Sequence, residues 1–241
     1  MSSYQSLIAT APALETLSDA PPLSAFAEPS VAFVDALSAE LFAMPEARSY
    51  PELTALAFWM RRSSIVRLKE SYLRRHAGQL SVARGTVLHF APSNVDTIFV
   101  YSWFISLLCG NRNIVRLSTK ASVQTELLVG AIGRVLSRPE HAEMARRSMV
   151  VRYAADPRIT ALLSAQCDTR VIWGAMPQWR RSGRCRYRRR LPRLRLPTNS
   201  RLACSMQVAG WEHRSSSGRG GSMDSSMMPT GLTRWPALPR A

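Results

Sequence analysis

Cysteine is scarce and poorly placed for metal. Cys109, Cys167, Cys185 and Cys204 form no C-x-x-C pair, which excludes the usual zinc spacings, and no metal site is expected. A secretory leader is missing too: Met1 to Ser18 has neither a basic start nor a continuous apolar run. The longest apolar stretch, Ile98 to Gly110, is too short to cross a bilayer. These absences predict a cytoplasmic protein with reduced thiols and no membrane span. Acidic residues are also few, 16 against 32 Lys and Arg, for a formal net charge of +16. The deficit is local. Residues 175–241 hold 14 arginines, no lysine and two acids, Glu212 and Asp224. They contain no isoleucine, no phenylalanine and one valine, Val208. With no apolar period to bury a face, their composition predicts disorder. Residues 1–174 keep 18 basic and 14 acidic residues, an ordinary globular balance.

What is present is a regular alternation. Residues 1–30, rich in Ala, Pro and Ser, read as a loose lead-in, and residues 31–84 as a helical segment. Val34, Leu37 and Leu41 recur at helical spacing over Val31–Phe42. Pro51 suits a first helical turn, and a long helix is expected from there to about His76. Its Arg61, Arg62, Arg67, Lys69, Arg74 and Arg75 read as a solvated basic side. From Gly85 the period changes. Thr86–Phe90, Asn113–Leu117, Ser148–Tyr153 and Arg170–Trp173 are short runs of strand formers. Helices are predicted between them over Val95–Cys109, Ser122–Arg138, Pro139–Arg146 and Pro157–Ser164. The fold class is therefore α/β, a parallel sheet of βαβ units over residues 85–174. Ligands of such sheets bind at the carboxyl ends of the strands. That directs attention to Ala91–Asn94, Ser118–Lys120, Ala154–Asp156 and the residues after Trp173.

The block His89-Phe90-Ala91-Pro92-Ser93-Asn94-Val95 is followed by Leu107-Leu108-Cys109-Gly110-Asn111 and by Ile114-Val115-Arg116-Leu117-Ser118. Further on stands Cys167-Asp168-Thr169-Arg170-Val171-Ile172-Trp173-Gly174. Read without any family, Asn94 is as well explained as a helix cap and Arg116 as a solvated charge. His89, Cys109 and Cys167 read as packing residues. The blocks in this order resemble the aldehyde dehydrogenase superfamily, most closely the LuxC-type acyl-CoA reductases, over about residues 57–174. The resemblance implies a Rossmann-like NADP-binding domain and NADPH-dependent reduction of an acyl-CoA or acyl-carrier thioester to an aldehyde. It places Asn94 as the N–H donor to the oxyanion, with Pro92 and Ser93 beside it. It places Arg116 near the adenosine ribose, where a guanidinium suits a 2′-phosphate, with Ser118 as a polar neighbour. Gly174 falls at the turn approaching the cofactor phosphates. The family's nucleophilic cysteine comes well after the Trp-Gly pair, and neither Cys185 nor Cys204 is expected to replace it. A homo-oligomer is the expectation for full-length members.

The likeness is expected to stop at Gly174, and the codons suggest why. With arginine as CGN, Gly174 to Gly183 read two bases later can encode Gly-Asp-Ala-Thr-Val-Ala-Ala-Ile-Arg, in which two alanines are forced. Members of the family continue in that way. Loss of one base near codon 174 would make residues 175–241 an out-of-frame translation of GC-rich DNA and the chain inactive as written. The alternative is a nucleic-acid-binding protein whose Arg pairs take phosphates while Trp179, Trp211 and Trp235 stack on bases. No specific nucleic-acid partner is expected under the first reading. A third reading is a scaffold that uses the half-sheet as a docking surface.

Overall fold

A computed structural model describes residues 4–91, 96–120 and 122–172. Helices α1 (Glu28–Ala43), α2 (Pro51–Trp59) and α3 (Arg62–Arg75) come before the alternating region. That region runs β2 (Thr86–Phe90), α4 (Ile98–Leu108), β3 (Arg112–Leu117), α5 (Val123–Leu136), α6 (Ala142–Ala145), β4 (Ser148–Arg152), α7 (Pro157–Ala165) and β5 (Thr169–Ile172). A two-residue strand β1 (Gln5–Ser6) opens the described chain. The sheet order is β1-β4-β3-β2-β5; only the β1–β4 pair is antiparallel. The four parallel strands thus run outward from β2 through β3 to β4, then cross back to place β5 on the other side of β2. This is the strand order of a doubly wound α/β sheet.

Strand periodicity sorts the core into two layers. Val115 and Val150 face one side, where they pack with α1, α4 and α5. Leu88, Ile114, Met149 and Val151 face the other, beneath Ile159 and Leu163 of α7. Helix α4 is largely apolar because most of its surface is enclosed, with Ile98, Tyr101 and Ile105 half-buried along one side. Trp103 meets Phe33 of α1 at 5.6 Å between ring centroids, and Phe104 meets Trp59 of α2 at 4.4 Å. Burying each such ring contributes about 2 kcal/mol.

Two expectations are corrected. Of the lead-in, residues 4–30 are described and are packed rather than loose. Leu14 and Leu17 are buried on the α7 side of the sheet, and Ile8 and Phe26 on the other. Arg112 holds this strap by donating from Nη1 to the carbonyls of Ser18 (2.9 Å) and Ala20 (2.7 Å). Leu14 and Leu17 do the covering that a further helix would otherwise do. The long helix from Pro51 is two helices. Arg61 turns extended (φ −61°, ψ 146°), and the Arg62 N–H donates to Asp35 Oδ1 of α1 at 3.0 Å. The cap for α3 therefore comes from another helix, which no local periodicity displays. Arg61, Arg62, Arg67, Lys69, Arg74 and Arg75 are exposed, as expected of a solvated side.

The strap is anchored where α4 ends. The N–H of Asn111 donates to Ser106 O (3.2 Å) and that of Gly110 to Leu107 O (2.8 Å), the paired bonds of a Schellman ending. Gly110 sits at φ +81°, and a Cβ there would lie 2.0 Å from the carbonyl oxygen of Leu23. Leu23 and Phe26 in turn donate to the carbonyls of Gly110 and Leu108. Gly110→Ala is expected to lower stability by about 2–4 kcal/mol, through a left-handed backbone and a displaced strap. An unfolding free energy from urea titration within about 0.5 kcal/mol of the parent would refute that account.

Candidate functional site

The carboxyl ends of the parallel strands share one register. Phe90 pairs with Arg116 on one side and with Ile172 on the other, and Arg116 pairs with Val151. Val151, Arg116, Phe90 and Ile172 therefore form a row across β4, β3, β2 and β5. The direction of strand addition reverses at β2, and in sheets of this order ligands bind beyond the carboxyl ends of the strands at that reversal. The chain leaves this row into Ala91 from β2 and into Ser118 from β3. Pro92, Ser93, Asn94 and Gly174 lie outside the described residues.

Arg116 is half-buried at the edge of the row. Its backbone carbonyl accepts the Ala91 N–H at 3.0 Å, which ties the ends of β2 and β3 together. Its guanidinium lies over the Tyr153 ring, Cζ 5.2 Å from the centroid, and Nη2 donates to the Tyr153 carbonyl at 3.4 Å. No carboxylate among the described residues pairs with it. A guanidinium carries five N–H donors, so this cation keeps a donor set suited to a phosphate. Ser118 shapes the turn after β3, its Oγ accepting the Lys120 N–H at 3.1 Å. Tyr153 was not singled out in the sequence, where it reads as the last residue of a strand. Its signal would have been an aromatic at a carboxyl end, beside an arginine on the neighbouring strand.

The other side chains raised in the sequence fall elsewhere. Cys167 is buried and donates from Sγ to Ser164 O (3.3 Å); burial foremost pushes its thiol up to about 11, so it stays protonated. Cys109 ends α4 at the opposite edge of the sheet. An open groove of about 510 Å³, lined by Met44, Val123, Leu127 and Arg134, runs along α5 and includes no residue of the row. Among the described residues no group of three His, Cys, Asp or Glu is placed to hold a metal, and no helix is long and apolar enough to cross a membrane.

Residues 65–185 match the family model for acyl-CoA reductase (LuxC), half of the chain. The chain belongs to the LuxC acyl-CoA reductase family. The match takes in the blocks quoted above, from within the region that begins near residue 57, and its bounds run eleven residues past Gly174, to Cys185. A solved NAD-dependent benzaldehyde dehydrogenase from Corynebacterium glutamicum is similar at TM-score 0.47 and 17% identity, over 71% of this chain and 41% of that one. The present chain thus spans less than half the length of that enzyme. A search of curated proteins finds no match.

The Gly-Asn-x-Asn block of this LuxC chain has a structural role. Gly110 ends α4, and Asn111 accepts the Arg84 N–H at Oδ1 (2.7 Å) while its Nδ2 donates to Ser106 O (3.2 Å). Asn113 donates from Nδ2 to Asn111 O (3.0 Å), which leaves Oδ1 to accept from His89 Nε2 at 2.9 Å. Nδ1 of His89 then accepts from Ser102 Oγ (2.7 Å), so the neutral ring joins β2, β3 and α4. His89 is fully buried, and desolvation, partly opposed by the Asn113 bond, lowers its pKa to about 4. It is a core histidine, as read from the sequence.

The linkage sign follows from that depression. The unfolded chain binds the proton near pH 6.5 and the folded chain only near 4, so stability is present above 6.5 and is lost as pH falls through this window. The loss expected between pH 6.5 and 5 is about 2 kcal/mol in urea unfolding. His141, lowered chiefly by desolvation, adds in the same direction. His89→Gln should flatten most of the slope; a slope unchanged by that variant would remove His89 as its source.

Proposed function

We propose that this chain carries the cofactor half of an NADPH-dependent reductase that converts an acyl thioester, on CoA or on a carrier protein, into an aldehyde and a free thiol. The observation that supports this most directly is the row Val151–Arg116–Phe90–Ile172, in a chain of the LuxC family. The cofactor, when bound, supplies the hydride that reduces the acyl carbon. Arg116 holds the 2′-phosphate of the adenosine ribose, a task that suits the donors left beyond its bond to the Tyr153 carbonyl. Ser118 keeps the turn beside that ribose in place. Asn94, reached four residues past Phe90 with Pro92 and Ser93 between, donates its amide N–H to the carbonyl oxygen as negative charge develops there. Gly174, two residues past Ile172, lets the backbone approach the cofactor phosphates.

The chain supplies no nucleophile for this chemistry. Cys109 and Cys167 are placed as packing residues, and Cys185 and Cys204 belong to the arginine-rich stretch. A base lost in the codons at or just after Gly174 accounts for that stretch and for the missing cysteine together. The 241-residue chain is then inactive, and its +16 charge is no functional device. Purified full chain given NADPH and a long-chain acyl-CoA is expected to form no aldehyde and consume no NADPH. Restoring one base at codon 174 should yield a longer, active chain. Aldehyde made by the 241-residue form, or a stop codon met soon in the displaced frame of the gene, would overturn the account of inactivity.

A further inference from the structure

We infer that Tyr153 is the residue that positions Arg116 for 2′-phosphate recognition. The inference rests on the reading of Arg116 just given and adds to it a residue that neither the sequence blocks nor the family match assigns.

Arg116 and Tyr153 leave the sheet from neighbouring strands. Arg116 pairs with Val151, and Tyr153 stands two residues beyond Val151, immediately past the end of β4. Strand periodicity puts both on the α7 side, where Tyr153 packs with Ile114, Val151 and Ile159. An arginine there has a long side chain and several competing rotamers, and ordering one of them costs side-chain entropy. Tyr153 selects one with two contacts from a single residue. Its ring lies beneath the guanidinium, and its carbonyl accepts from Nη2. Stacking on a ring face holds a guanidinium flat and leaves its edge N–H groups pointing outward, toward a ligand.

Tyr153 is itself held. It is 5% exposed, and its hydroxyl lies 3.2 Å from Thr160 Oγ1 in the first turns of α7. Thr160 Oγ1 also donates to the Asp156 carbonyl at 2.9 Å, and Asp156 Oδ1 caps α7 by accepting the Arg158 N–H at 2.7 Å. The ring is thus fixed between β4 and the start of α7, and Arg116 takes its direction from it. Tyr153 touches no reacting atom and acts only through Arg116. Its effect belongs to ligands that carry the 2′-phosphate.

The test compares 2′,5′-ADP with 5′-AMP, two adenosine probes that differ in the 2′-phosphate, by calorimetric titration of the full chain. The parent should prefer 2′,5′-ADP, and Arg116→Ala should abolish the preference. Tyr153→Leu should reduce the preference about fivefold while leaving 5′-AMP affinity unchanged. Tyr153→Phe, which keeps the ring, should stay within about twofold of the parent. If Tyr153→Leu does not fold, Tyr153→Met carries the same comparison. A preference unchanged in Tyr153→Leu, or both probes weakened equally, would overturn the role of Tyr153 while leaving that of Arg116 standing. No preference in the parent, or one that survives Arg116→Ala, would remove the Arg116 reading and this inference with it.

Discussion

The register between β2 and β5 rests on one carboxylate seated where no side chain fits. Asp168 Oδ2 accepts the Thr86 N–H at 2.8 Å, and the Asp168 N–H donates to Thr86 O at 2.8 Å. Oδ2 occupies the space beside Gly85, at φ +103°, where a Cβ would come within 2.2 Å of it. Arg112, on the adjoining strand, brings Nη2 to 4.0 Å from the same oxygen and donates from Nε to Thr86 Oγ1 at 3.1 Å. Three strands are thereby aligned at their amino ends. With side chains alternating every residue, a slip of one would turn each strand over. The carboxyl-end row of Val151, Arg116, Phe90 and Ile172 follows from that alignment.

Crossing back after β4 has a second consequence. Helices α4 and α5 occupy one face of the sheet, while the return through α7 covers only part of the other. Leu14 and Leu17 of the N-terminal strap are buried on that second face, and Arg112 and Gly110 pin the strap at its far end. Arg112 therefore serves both the alignment of the strands and the closure of the core. The antiparallel β1 covers the β4 edge, where an unpaired ladder would otherwise face solvent.

The buried polar contacts of the central layer do a related job. His89, Ser102 and Asn113 satisfy one another inside an apolar layer, each donor matched to one acceptor. A polar group buried without a partner costs more than a lost apolar contact, so this set specifies which face of α4 meets β2. At the carboxyl ends of the strands Arg116, on β3 beside the reversal at β2, has an aromatic ring for support, and no carboxylate among the described residues pairs with it.

Much of this was legible in the amino-acid order. Strand formers in runs of four to six, separated by helical periods, predicted all four parallel strands; β2, β3 and β4 are buried on both faces and need continuous apolar character, while β5 is only half-buried. Pro51 located the start of α2, and the helix predicted to Cys109 ended within a residue of α4. The packing role of His89 and Cys167 was also readable, since each lies among apolar neighbours. What the order of residues does not carry is contact between distant segments. The break between α2 and α3 depends on Asp35, the burial of Leu14 and Leu17 on a face left open by the crossover, and the pairing of Arg116 with Tyr153 on strands aligned by Asp168. Local periodicity records which side of an element is apolar; only the tertiary structure decides which partner meets it, because hydrogen bonds and ring contacts join residues 27 to 94 positions apart through space rather than along the chain.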